Sequence, residues 1–185
     1  MKKISICIFM ILLFCVNTIA DTNDSNIKLD KLFEQLKKSY NVNVALEIEM
    51  KIWDIWSTHP TKIKLTQALE IGSDLMSKGK LDESYKIFST IVIASPEWAE
   101  GWNKRATVLY LMGKYEDSLN DIDEVLKREN RHFGALAGQA LVQIKLKNYE
   151  KAIKCYQAVQ KIYPSIRAAE IMIPQLQELI KAEAI

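Results

Sequence analysis

The chain has 185 residues, and its 25 Lys and Arg against 23 Asp and Glu leave a net charge of +2, which is the contribution of Lys2 and Lys3. The remainder is balanced, so no overall field draws it to nucleic acid or to an anionic membrane surface. Cys7 and Cys15 lie close to the start and Cys155 stands alone in the rest, which excludes an intramolecular disulfide there.

Residues 1–20 read as a secretory signal peptide. Lys2 and Lys3 precede an apolar run from Ile4 to Val16, followed by Asn17, Thr18, Ile19 and Ala20. The run is short for a bilayer-spanning helix, and Thr18 and Ala20 supply small residues at the minus-three and minus-one positions, placing cleavage after Ala20. An uncleaved anchor is the alternative. A lipoprotein signal is rejected because bulky Phe14 precedes Cys15. The protein is therefore expected to be periplasmic or secreted, without stable membrane insertion after cleavage. Cys155, beside Tyr156, reads as a small buried hydrophobe.

Residues 21–28 are polar and breaker-rich, and are expected to form a short disordered linker. Residues 29–57 read as a helical hairpin. Leu29, Leu32, Phe33 and Leu36 have helical spacing, Ser39, Tyr40 and Asn41 break it, and a second helix runs to Ser57. In that second arm Asn43, Glu47, Lys51 and Asp54 form one polar stripe and apolar residues occupy most of the remaining circumference, so it should be covered on two sides. Thr58, His59 and Pro60 end it.

From residue 65 onward the sequence repeats every 34 residues. Pro96, Asn130 and Pro164 correspond, as do Gly79, Gly113 and Lys147; Leu81, Tyr115 and Tyr149; Ser84, Ser118 and Ala152; and Phe88, Ile122 and Tyr156. Each copy reads as two antiparallel helices. In 115–128, Tyr115, Leu119, Ile122, Val125 and Leu126 make one apolar stripe. Gly79 and Gly113 suit a left-handed cap at the helix exit, for which Lys147 is a less favourable residue. Ser84, Ser118 and Ala152 are small where paired helices cross. Three units follow, 65–98, 99–132 and 133–166. The segment 167–185, with Ala169, Ile173, Leu176 and Ile180 on one side, should close the array as a capping helix, kinked or split near Ile173 by Pro174.

This pattern resembles the tetratricopeptide repeat family, most fully in Trp102, Ala106, Leu109, Gly113, Tyr115, Ser118, Ile122 and Val125. The resemblance implies an all-α fold, a right-handed solenoid of helix-turn-helix repeats, here with an N-terminal helical hairpin and a C-terminal capping helix. It also implies a binding scaffold whose ligand groove is the concave face, built from the second, fifth, ninth and twelfth positions of each first helix. Those positions are Thr66, Leu69, Ser73 and Met76; Glu100, Asn103, Thr107 and Tyr110; and Gly134, Ala137, Leu141 and Ile144. Within them Leu69, Ser73, Met76, Asn103, Thr107, Tyr110, Ala137, Leu141 and Ile144 are the candidate partner-binding residues. One subgroup grips a C-terminal carboxylate with Lys, Asn and Arg. Here Leu69, Ser73, Gly134 and Gly138 stand at several of the corresponding places, so such a clamp is not expected. Gly134 and Gly138 either admit a close-approaching ligand or pack against a neighbouring helix. The apolar hairpin either fills the groove or stacks beside the first repeat, and stacking is favoured because a bare solenoid end exposes apolar surface.

No catalytic constellation stands out. His59 and His132 lie far apart along the array, no metal-ligand spacing occurs, and Gly113-Lys114 lacks a phosphate loop's glycine-rich lead. Glu116, Asp117, Asp121, Asp123 and Glu124 suit the solvated start of a helix. Lys145, Lys147, Lys151 and Lys154 read as solvated, and Trp98 and Trp102 as packing residues. The sequence thus points to a non-enzymatic scaffold or adaptor of the cell envelope, without cofactor or metal, that binds a protein or peptide and not nucleic acid. The alternative is a self-assembling structural protein that dimerises through its solenoid ends or its hairpin. A small helical enzyme or lipid carrier is the third reading.

Overall fold

A computed structural model describes residues 24–183, so the signal-peptide reading of 1–20 lies outside the described residues. The described residues contain helices and no strand: α1 (24–38), α2 (Val42–Ser57), α3 (Ile63–Ser77), α4 (Leu81–Ala94), α5 (Ala99–Leu111), α6 (Tyr115–Arg128), α7 (Phe133–Lys145), α8 (Tyr149–Ile162) and α9 (Arg167–Glu183). None of these helices is long and apolar enough to cross a membrane. Helices α3/α4, α5/α6 and α7/α8 form the three antiparallel pairs of a right-handed α-solenoid, each second helix packing on the next first helix.

The turn inside each pair is one device used three times. Gly79, Gly113 and Lys147 adopt left-handed φ values of 74°, 74° and 57°. In each case that residue donates its N–H three residues back while the next residue donates five back, as Lys80 does to Leu75 and Asn148 to Gln143. This doubly bonded exit satisfies carbonyls that the helix end would otherwise orphan. Where the paired helices touch, Ser84 and Ser118 donate their hydroxyls to the carbonyls of Gly72 and Ala106, both at 2.8 Å. Ala152 makes the same close contact with no hydroxyl to place and is wholly buried. Gly72 is small because a Cβ there would lie 2.6 Å from the Phe88 ring.

The hairpin departs from the expected stacking. Helices α1 and α2 lie along the row of turns that link successive repeats, burying Leu29, Phe33, Leu36, Ala45, Ile48, Ile52 and Trp56 against Phe133, Leu136, Val159 and Tyr163. The Trp98 indole donates to the Trp56 carbonyl at 2.8 Å, the Tyr163 hydroxyl to Glu49 at 3.0 Å and Ser165 to the Ser39 carbonyl at 3.0 Å. The physical reason is where the aromatic surface lies. Trp98, Phe133 and Tyr163 crowd the repeat exits, whereas the outer side of α3 shows water Lys64, Gln67, Glu70 and Asp74 together with Ile63 and Ile71. A hairpin rich in Phe and Trp gains more by covering the former.

Three smaller expectations are also revised. Residues 24–28, read as disordered linker, belong to α1, where Lys28 pairs with Asp24 one turn earlier. Their polar, turn-prone character suits a helix start as well as a linker. Helix α2 is covered on one side, with Val44, Leu46 and Met50 exposed. Pro174 does not split the last helix in two but sits inside a single one, Arg167–Glu183, which buries Ala169 and Leu176 against Tyr156 and Ala152. That packing offsets the missing donor.

Candidate partner-binding groove

The concave recess lies between α5 and α7, with α6 beneath. Asn103, Ala106, Thr107 and Tyr110 project from α5, Gly134, Ala137, Gly138 and Leu141 from α7, and Ser118 and Ile122 from α6, around a cavity of about 210 Å³. The helical spacing of those residues puts each set on one face, and the shared 34-residue register aligns the two faces. Asn103 donates to Glu100 at 3.0 Å and Thr107 to the Asn103 carbonyl at 2.9 Å, which fixes their polar ends along α5. No Lys, Arg, Asp or Glu lines the recess. It can take an apolar side chain by area burial and a neutral polar group at its rim, and it offers no cation for a carboxylate.

Of the groove positions read from the sequence, Asn103, Thr107, Tyr110, Ala137 and Leu141 meet here. Leu69 is buried with Phe88 and Ile91 in the first repeat, Met76 packs on the same cluster, and Ser73 donates to the Leu69 carbonyl. Ile144 packs toward Tyr156 and Leu176. Ala106, Ser118 and Ile122 were not among the sequence candidates because their pattern marks them as core; they form the floor. The two glycines divide. A Cβ on Gly134 would lie 2.5 Å from Trp53, so that glycine makes room for the hairpin, while one on Gly138 would meet only Ile122, at 3.9 Å. Gly138 is open to the recess.

Beside Asn103 and Gly134 lies a buried polar cluster. His132 is the N-cap of α7, its Nδ1 accepting the Ala135 N–H at 3.0 Å. The proton therefore sits on Nε2, which donates to Glu100 Oε2 at 3.2 Å. Lys104 Nζ lies 3.3 Å from the other carboxylate oxygen and 6.0 Å from the centre of the Trp53 ring. Glu100 is 1% exposed, and its partners compensate part of the cost of burying it.

The remaining titratable groups serve the frame. His59 accepts the N–H groups of Thr61 and Lys62 on Nδ1 and meets Ser95 through Nε2 at 2.9 Å. Burial, and then the Lys62 charge, push its pKa below the usual histidine value. Asp121 takes two bonds of 2.7 Å from Arg105, whose own pKa is raised chiefly by that pairing. Glu124 is held low by hydrogen bonds from Lys127 and then Arg128. The acidic run of α6 is thus partly spent on structural pairs. Cys155 is half-buried, which raises its thiol pKa, and it donates to Gln139. Among the described residues no group of His, Cys, Asp and Glu is placed to hold a metal ion.

Residues 133–166 match the family model described as Tetratricopeptide repeat. A TPR repeat-containing protein of Rhizobium etli is 30% identical over 151 residues, covering 82% of this chain and 74% of that protein. Among solved structures, the first tetratricopeptide domain of Spaghetti bound to an HSP90 peptide aligns with a TM-score of 0.61 at 19% identity, over 64% of this chain and 94% of that one. The Yersinia enterocolitica type III secretion chaperone SycD in complex with a peptide of the translocator YopD aligns with a TM-score of 0.60 at 12% identity, over 69% of this chain and 100% of that one. Helix pairs, turn geometry and relatives agree, and the chain belongs to the tetratricopeptide repeat family.

Proposed function

We propose that the protein is a non-enzymatic scaffold of the cell envelope that binds a peptide or protein segment in the recess between α5 and α7. The observation that carries this reading is the uncharged recess of about 210 Å³, open over Gly138 and bordered by the exposed Leu141. Support comes from the similar folds of Spaghetti and SycD, each of which holds a peptide. Export rests on Lys2, Lys3 and the apolar run from Ile4 to Val16.

Cross-linking of the tagged protein in its native envelope fraction, repeated with Leu141→Glu, tests both parts. A partner recovered with the parent and lost with the variant, at equal helicity, is the expected result. Equal recovery excludes the recess as the site, and a mature chain that does not begin at Asp21 contradicts the cleavage assignment.

Self-association is a second reading, favoured by Val42, Val44, Leu46 and Met50 standing exposed on α2. Light scattering that shows a monomer at every concentration removes it.

A further inference from the structure

Gly138 stands at a position where the neighbouring repeats carry long side chains. The equivalent residues one repeat before and after are Lys104 and Met172, both partly buried, and Met172 packs on the cluster of Tyr156 and Leu176. At Gly138 there is no side chain, and a Cβ built there would meet nothing nearer than Ile122, at 3.9 Å. Ile122 lies on the floor of the recess, so the space that the glycine leaves open belongs to the recess itself. The rest of the floor is small and its polar group is already paired: Ala106 offers a methyl, and Ser118 donates its hydroxyl to the Ala106 carbonyl at 2.8 Å. Among the described residues, the buried side-chain polar atoms without a hydrogen bond belong to Trp56, Ser89 and Glu100, and none of these three lines the recess. Its depth thus asks the occupant for apolar surface and for no hydrogen bond.

We infer that Gly138 is the specificity-determining residue of the groove, and that it selects a peptide anchored by one large apolar side chain of the size of a phenylalanine ring. An apolar cavity of about 150 Å³ admits a benzene molecule. The recess, at about 210 Å³, therefore has room for a phenyl ring and the carbon that carries it. Leu141, exposed at its border, adds apolar area around such an anchor. A charged side chain would shed its hydration there and find no partner, since no Lys, Arg, Asp or Glu lines the recess. A methionine at 138, like the one at 172, would take up the space from within and exclude the anchor by blocking. The inference rests on the peptide-binding reading above.

Random phage-displayed peptides panned against the full chain, with the selected peptides then measured on Gly138→Met, Gly138→Ala and Leu141→Glu, provide the test. Circular dichroism confirms that the chains are folded, and Gly138→Ala, the smaller change, serves if the methionine variant does not fold. Peptides from the parent are expected to share one large apolar residue, and replacing it by alanine should weaken binding about thirtyfold, the effect of one buried anchor. Gly138→Met should weaken the parent peptide by a similar factor and Gly138→Ala by a few-fold. On Gly138→Met the alanine-substituted peptide should lose little more, because the two changes remove the same contact. Peptides that share no large apolar residue, or that bind parent and Gly138 variants equally while being lost on Leu141→Glu, overturn the role of Gly138 and leave the groove standing. Peptides indifferent to all three substitutions, or failure of the parent to enrich any peptide, overturn the groove reading and this inference together.

Discussion

His132 and Trp56 stack face to face, their ring centres 4.0 Å apart and their planes 8° from parallel. This contact joins the hairpin to the repeats at the point where α7 begins. His132 does three things there: it caps α7, donates to the buried Glu100 carboxylate and supports the Trp56 ring. His132→Ala removes all three and leaves Glu100 short of a donor, so it should cost about 3 kcal/mol. His132→Asn retains a capping acceptor and should lose about 1 kcal/mol less. Urea unfolding followed by far-ultraviolet circular dichroism measures both, and equal losses would show that the cap contributes nothing.

Gly134 and Gly138 lie one turn apart on α7 and should respond oppositely to alanine. At Gly134 the new methyl meets Trp53 at 2.5 Å, and overpacking of that kind costs about 1–3 kcal/mol. At Gly138 the methyl has room, and replacing a mid-helix glycine should stabilise by about 0.5–1 kcal/mol. Thermal unfolding of the two variants tests the pair. A stabilised Gly134→Ala would mean that the hairpin does not press on α7.

The repeats were legible in the sequence because each depends on local chemistry recurring at a fixed interval: a left-handed turn residue, a small residue at the crossing, an apolar stripe. The hairpin's position was not, since it depends on contacts far apart in the chain, such as Ser39 with Ser165 and Glu49 with Tyr163. Periodicity correctly marked Trp53 and Trp56 as apolar helix residues, and nothing in their spacing states which surface they cover. The groove was half legible for the same reason. Asn103, Thr107 and Leu141 follow from register, whereas the pairing of Glu100 with Lys104 and His132 and the packing of Gly134 against Trp53 follow only from the folded arrangement.

Lys147 holds the left-handed conformation that Gly79 and Gly113 hold at the equivalent turns. A side chain there costs roughly 1 kcal/mol that glycine avoids, and the glycines at the other turns have nothing near them that a Cβ would touch. Lys147→Gly should therefore stabilise the chain by about 0.5–1 kcal/mol and Gly113→Ala should destabilise it by a similar amount. Denaturant midpoints at constant slope give both values; an unstable Lys147→Gly would assign the lysine a compensating contact.

His59 links stability to pH. Its ring is buried against Trp98 and accepts two backbone N–H groups through Nδ1, so the folded chain favours the neutral form and the pKa falls below 6.5. Between 6.5 and that lower folded value the unfolded chain binds a proton that the folded chain resists. The His59 contribution is therefore complete above 6.5, declines as the pH is lowered through that window, and is lost below the folded value. His59→Asn replaces Nδ1 by an uncharged acceptor and removes the titration. The parent should lose more stability than His59→Asn on going from neutral to mildly acidic pH, even though the variant starts lower through loss of the Ser95 bond and ring packing. Melting temperatures of the two chains across that range decide it, and parallel curves would show that His59 is not the group that senses acid.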